Sequence, residues 1–347
     1  MFAKIPFVQA VRAQPKALEG ALGSLRSSLA GAHLPAIADG ETVGIVAMGA
    51  SGHSAQALVA VLAEAGVRAV NVTASDLELA APGFQPADHY LIVSESGRSP
   101  EPVGAAKRLT PGSRVGITND PNAQLGEVVD AVLDLGGFDD SPVYTVGFTA
   151  TLLAYALWAE RHGFGTGEDV DAIPALVAHA LAEYEEVAAH VGRLAADAGA
   201  IDCVGRGVSF ASASESALMF REGLRKPSAG YETFQYLHGP MEAMSSGDLV
   251  IIFGDGRELE IPGSILDAGV KVVLVTRADE GSVGNAEHPG LTIVPLRRDL
   301  NGFSRAIVEM VFAQLVLAAA VEHEPFVIED FLYHQNDTKL TSPAVGE

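Results

Sequence analysis

The sequence predicts an α/β protein of two tandem domains, each a parallel sheet flanked by helices in a flavodoxin- or Rossmann-like three-layer sandwich. Short β-branched runs alternate with longer Ala/Leu-rich stretches, as parallel strands joined by crossover helices do. The alternation stops near residue 165 and starts again near residue 201. The chain has 347 residues, 48% of them apolar. That is enough for two cores of roughly 150 residues each.

Taken in order, residues 1–35 read as a helical segment. Residues 36–165 form the first domain, with strand runs VGIVAMGA, VRAVNVT, HYLIVSES, SRVGITND and AVLDLGG. Residues 166–199 carry abundant alanine with apolar residues at helical spacing, and read as connecting helices. Residues 200–325 form the second domain, with runs IDCVGRGVS, DLVIIFGDG, VKVVLVTRAD and LTIVPLRRD, and 326–347 read as an irregular tail. The halves can be laid on each other. Gly49-Ala50-Ser51 falls on Gly207-Val208-Ser209, Gly97-Arg98 on Gly256-Arg257, Thr118 on Thr276, and Gly147-Phe148-Thr149 on Gly302-Phe303-Ser304. Four matches in order, at offsets of 155 to 159 residues, predict a tandem repeat.

Acidic residues outnumber basic ones 44 to 22, for a formal charge of -22. Nucleic acid and anionic membrane both demand a cationic surface, so neither is expected as a partner. A site for a small anion must be a local exception built from N–H groups, hydroxyls and a few cations. The single cysteine, Cys203, cannot form an internal disulfide and reads as a small core residue. The start, MFAKIPFVQAVRAQP, lacks a signal-peptide core, and VFAQLVLAAAV is too short to span a bilayer, so a cytoplasmic protein is expected. The histidines show no metal-ligand spacing, and Gly44, Gly49 and Gly52 do not reproduce a dinucleotide fingerprint. Neither a metal nor a cofactor is expected.

The stretch LIVSESGRSP, residues 91–100, ends a strand and packs three serines ahead of a helix start. Ligands of parallel α/β sheets sit at such strand ends, where helix N-termini present free N–H groups. Ser94, Ser96 and Ser99, with Ser51 at a second strand end, make a site for a small anion, most plausibly a sugar phosphate. The matching loop of the second repeat carries Asp255 where Ser96 stands, so only the first repeat is expected to bind it. Two further side chains suit proton transfer. Glu222 lies among apolar neighbours Leu218 and Met219, and His238 precedes Gly-Pro in a turn. A solvated Glu222 paired with Arg221 or Arg225, and a structural His238, are the plainer alternatives.

Together Gly49-Ala50-Ser51, SESGRSP, FTATL and the later REG…YLHGP resemble the tandem SIS (sugar isomerase) family, which includes the isomerase half of glucosamine-6-phosphate synthase and stand-alone amino-sugar-phosphate deaminases, deglycases and isomerases. The resemblance implies Ser51, Ser94, Ser96 and Ser99 as ligands of a 6-phosphate, with Glu95 and Arg98 in the same loop. It implies Glu222 as proton shuttle between C1 and C2. It also implies His238 as the ring-opening group, serving a neighbouring subunit's site in a homodimer, and Lys339 of the tail as the cation at the C1/C2 oxygens. Glu95 stands where the family loop has Gln, and Met219 where the synthases have Lys. No N-terminal cysteine nucleophile is present, so no glutaminase activity is expected. The expected function is an aldose–ketose isomerase or amino-sugar deaminase for an anionic hexose, with a hexose 6-phosphate as the expected substrate. A C6-sulfonated hexose and a non-catalytic sugar-phosphate sensor are the alternatives.

Overall fold

The computed structural model describes residues 2–335 and 337–340. The first sheet contains β1 (Thr42–Ala47), β2 (Arg68–Thr73), β3 (His89–Val93), β4 (Arg114–Thr118) and β5 (Ala131–Asp134), in the order β2-β1-β3-β4-β5. The second contains β6 (Ile201–Gly205), β7 (Ser228–Glu232), β8 (Leu249–Phe253), β9 (Lys271–Thr276) and β10 (Leu291–Pro295), in the order β10-β9-β8-β6-β7. Counted from each sheet's own first strand, the two orders are the same, and all pairings are parallel. Central strands such as β8 are buried along their whole length, which explains their unbroken Val/Ile/Leu/Phe runs.

Among the described residues nine of the ten strands coincide with runs read from sequence, β1 starting one residue ahead of its run at Thr42; β7 does not. Its residues, SAGYE, hold neither a β-branched run nor an apolar alternation. As an edge strand it pairs only with β6, so the partner's backbone recruits it rather than its own side chains.

Two helices are apolar on nearly every side and form the centre of the molecule, Val146–Arg161 and Gly302–Val321. The latter is longer than the apolar stretch read from sequence. Its twenty residues would be long enough to cross a membrane by length and composition, but 89% of its most apolar window is buried inside the fold. Across the junction of the halves, the Gly49–Glu64 helix packs against the Val208–Leu224 helix. That contact places Ser51 of one half near Glu222 of the other. Cys203 is free and fully buried.

Candidate active site

A cavity of about 360 Å³ opens where the carboxyl ends of β1 and β3 meet the Val208–Leu224 helix. Ser51, Ser94, Glu95, Ser99, Glu222 and Lys339 all line it. Ser51 lies in the first turn of the Gly49–Glu64 helix, whose N-terminus has no side-chain cap, so its leading N–H groups are open to a ligand. The 94–99 loop turns sharply at Gly97, with φ of +64°. A Cβ there would lie 2.8 Å from both Thr118 Oγ1 and Ala123 Cβ, so only glycine fits. Ser94 is buried, and its hydroxyl has no hydrogen-bond partner among the described residues. A buried hydroxyl without a partner, on the wall of a cavity, is free to donate to a ligand there.

Ser99 stands at the N-terminus of the Pro100–Arg108 helix, as its sequence suggests, yet its hydroxyl makes no capping bond. It accepts from Lys339 Nζ at 3.1 Å, and Ser96 Oγ accepts from the same ammonium at 2.9 Å. The tail is thus docked on the serine loop, and the Leu340 N–H donating to the Arg98 carbonyl at 2.7 Å fixes its register. Lys339 as a whole is exposed, but desolvation of its ammonium lowers its pKa; Glu95 and Glu101 oppose that shift and Lys4 adds to it. In this position the ammonium sits at the anion end of the cavity.

Glu95 is the carboxylate that stood out in the loop. Arg98 does not offset it, because its guanidinium donates to Asp120 at 2.9 Å, and Arg98 does not line the cavity. Burial pushes the Glu95 carboxyl above the usual range, Lys4 draws it down, Asp140 pushes it up, and Lys339 and the Asn119 amide, at 3.1 Å, favour the ion. The net direction is upward, toward the neutral acid. Tyr144 shares this pocket wall, its phenol held protonated by burial and by the charge of Glu95.

Glu222 has a pKa pushed up to about 7, by burial first and by Glu215 second, with His53 opposing. Glu215 is itself buried and pairs with His53 at 2.9 Å. The plainer alternative for Glu222 does not match the geometry. Arg221 donates to the Ser228 carbonyl at 2.7 Å and Arg225 to the Asp330 carbonyl at 2.5 Å. Met219 is 1% exposed and packs in the core, so the position where the synthases carry lysine faces away from the cavity.

His238 is not brought to this cavity. It ends the short Thr233–Leu237 helix and is exposed. In the second sheet the matching loop ends are filled from within. Asp255 accepts from Arg277 Nε at 2.8 Å and Arg305 Nη1 at 2.6 Å, Arg305 Nε donates to Glu309 at 2.8 Å, and Ser209 and Ser212 donate to Glu309 at 2.8 and 2.7 Å. Burial alone would raise Asp255, but Arg305 and Arg277 hold it below its usual range.

Sequence reading did not single out Tyr144, Thr151, Glu101 or Thr338 as lining residues, nor Lys4 as a neighbour of Glu95. Thr151 lies within the FTATL stretch and Tyr144 just ahead of the same helix, while no local motif marks Glu101, Thr338 or Lys4.

Residues 195–320 match the SIS domain family. The chain is 26% identical over 245 residues to a glutamine--fructose-6-phosphate aminotransferase (isomerizing) of Gloeobacter violaceus; the match covers 66% of this chain and 39% of that protein's length. Among solved structures, the C-terminal domain of glucosamine-fructose-6-phosphate aminotransferase from Francisella tularensis is similar at a TM-score of 0.76 and 18% identity, covering 92% of this chain and 96% of that one. A glucosamine-6-phosphate deaminase from Thermotoga maritima is similar at a TM-score of 0.75 and 18% identity, covering 95% and 98%. These structures share the fold across both sheets, including the half that holds the serine loop.

Proposed function

The chain carries a SIS domain over residues 195–320, and on that footing we propose that it is an aldose–ketose isomerase or amino-sugar deaminase acting on a hexose 6-phosphate. The observation that carries this reading is one cavity lined by Ser51, by Ser94 with its orphan hydroxyl, by Ser99 and by Glu222 at a pKa near neutrality, while Ser96 lines a neighbouring cavity with Glu95 and Lys339. The phosphate docks against Ser51, Ser94, Ser96 and Ser99, with Lys339 as counter-charge. A carboxyl poised near pH 7 suits a group that takes a proton from one carbon and returns it to the next. Glu222 moves the proton between C2 and C1 through an enediol, or through an enolamine when C2 carries nitrogen. In the latter case the ketose imine then loses ammonia to water.

Burial raises the Glu95 pKa, which weakens the opposition of its carboxyl to a bound anion. Lys339 reaches the enediolate oxygens only if substrate draws it off Ser96 and Ser99. His238 opens the ring from a second subunit, because within one chain it lies outside the cavity.

The test is a panel of glucosamine 6-phosphate, glucose 6-phosphate, fructose 6-phosphate, a fructosamine 6-phosphate and the C6-sulfonate analogue of glucose, following ammonia release and aldose–ketose conversion. One member is expected to turn over, with kcat falling about 10²–10⁴-fold in Glu222→Gln while binding persists. Saturable binding with no turnover of any member would make the protein a sensor.

A further inference from the structure

Glu95 puts a carboxyl on the wall of the cavity where a phosphate is to dock, and the one cation of its own loop, Arg98, is turned to Asp120. A smaller cavity, of about 130 Å³, lies on the other side of Glu95. Glu95, Tyr144 and Lys339 line both. The smaller volume falls below the roughly 300 Å³ at which small-molecule sites begin, so the space suits side chains and water rather than a sugar. Two of its lining residues, Lys4 and Asn119, do not line the active-site cavity.

Asn119 follows directly on β4, and its amide is fixed by backbone. Its Oδ1 accepts from the Gly137 and Phe138 N–H groups at 2.8 and 3.1 Å, and its Nδ2 donates to the Phe138 carbonyl at 2.8 Å. The remaining N–H donates to Glu95 Oε1 at 3.1 Å and draws that oxygen toward the smaller cavity. A second carboxylate stands close by. A Cβ on Gly147 would lie 3.0 Å from Glu95 Cγ and 3.1 Å from Asp140 Oδ2. Asp140 is locked there, because it accepts from the Thr145 hydroxyl at 2.5 Å and the Gly147 N–H at 2.7 Å. Two neighbouring carboxyls call for a cation.

Lys4 is brought to them by backbone. The Ile5 N–H donates to the Asp140 carbonyl at 3.1 Å, the Asp140 N–H donates to the Ala3 carbonyl at 3.3 Å, and the Ala3 N–H donates to Asp139 at 2.7 Å. The Lys4 ammonium donates to the Ser141 carbonyl at 3.3 Å and lies 4.7 Å from the centre of the Tyr144 ring. Neither partner carries a formal charge, and each orients a cation without neutralising it. Burial acts most strongly on Glu95, and Lys4 is the foremost influence favouring its ion.

We propose that Lys4 is a positioning residue of the anion site: with Asn119 it holds the Glu95 carboxyl back toward the smaller cavity, so that the serine loop can take a phosphate beside an acidic side chain. Lys4 acts on Glu95 and not on substrate, since of the two lysines only Lys339 lines the active-site cavity. The inference rests on the serine loop being the phosphate site. It ties the first residues of the chain, which carry no motif, to the glutamate at position 95, because a neutral amide there would need no counter-charge.

The experiment measures the calorimetric Kd of glucosamine 6-phosphate and of inorganic phosphate on the full chain at pH 8 and low ionic strength. Lys4→Met keeps the apolar stem and removes the charge, and the backbone bridge to Asp140 does not involve the side chain. It is expected to weaken both ligands about fivefold, the upper end for a charge pair that water reaches. Added salt should narrow that gap. Lys4→Arg should keep the wild-type Kd within about twofold, as a second cation over the Tyr144 ring. In Glu95→Gln the same Lys4→Met change should weaken binding less than about 1.5-fold, since the group that Lys4 acts on has lost its charge. A Lys4 that merely pins the start of the chain would weaken binding equally in both backgrounds. That result, or an unchanged Kd in Lys4→Met, overturns the proposal and leaves the isomerase reading standing. Failure of both ligands to bind the wild type removes the anion site, and the isomerase reading falls with it.

Discussion

Glu222 shows how burial and a neighbouring carboxylate move a carboxyl pKa toward neutrality. Burial disfavours its charge, Glu215 disfavours it further, and His53 restores part of the balance. The base form is the carboxylate, and its pKa has been raised from the ordinary carboxylate range to about 7. Activity should therefore be lost as pH falls through about 7 and level off above it. The acidic limb of kcat/KM, which reports the free enzyme, checks this. A limb near pH 4.5 would place Glu222 in water and remove its role. Glu95 illustrates the same physics at the anion loop: a carboxylate that sequence places beside a phosphate is turned toward the neutral acid by burial, despite Lys4 and Lys339.

Among the elements, the tail does the least predictable work. Nothing in FLYHQNDTKL has the periodicity of a helix or strand, and residues 331–340 take neither form. Yet Phe331 to Tyr333 wall a cavity of about 650 Å³ beside Glu222, while Thr338 and Lys339 wall the active-site cavity. The Lys339 ammonium gives two hydrogen bonds to the serine loop. Lys339→Met is expected to raise KM for the phosphosugar about tenfold with kcat changed less than about twofold, because it removes charge from the binding end. A hundredfold fall in kcat with KM unchanged would instead put the ammonium at the enediolate. The Val208–Leu224 helix contributes differently. It is largely buried, and one end of it presents Leu218 and Glu222 to both cavities.

For the whole molecule, two sheets of one strand order differ at their strand ends. The first leaves its strand ends open around serines. The second fills the matching space with Asp255, Arg277, Arg305 and Glu309, an internal ion network in which both arginines are paired with carboxylates. His238, exposed and away from the cavity, fits a homodimer that completes each site from two chains. Under two-fold symmetry, mixing Glu222→Gln with His238→Ala chains should restore about a quarter of wild-type activity, since half the dimers are mixed and each has one intact site. Full activity of His238→Ala alone would place His238 outside the chemistry, and mixed samples as inactive as either variant alone would overturn the site shared between two chains.

Much of this was legible in the sequence. Buried parallel strands are written as β-branched runs, so nine strands could be read directly, and the serine loop could be read because a strand end, a glycine and a proline-led helix are local signals. Glu222 was visible for the same reason, with its apolar helical neighbours. What remained hidden depends on residues far apart along the chain. Edge strand β7 is drawn in by the backbone of β6, Asp255 is neutralised by arginines 22 and 50 residues away, and the Glu222 pKa is set by the packing of one half on the other. The turning of Arg98 to Asp120 and the bringing of Lys4 to the far side of Glu95 are likewise decided by tertiary contacts. Composition and periodicity determine which segments pair and bury; only the assembled fold decides which charges meet, because electrostatic energy depends on distance and solvent exposure, and neither is a local property of sequence.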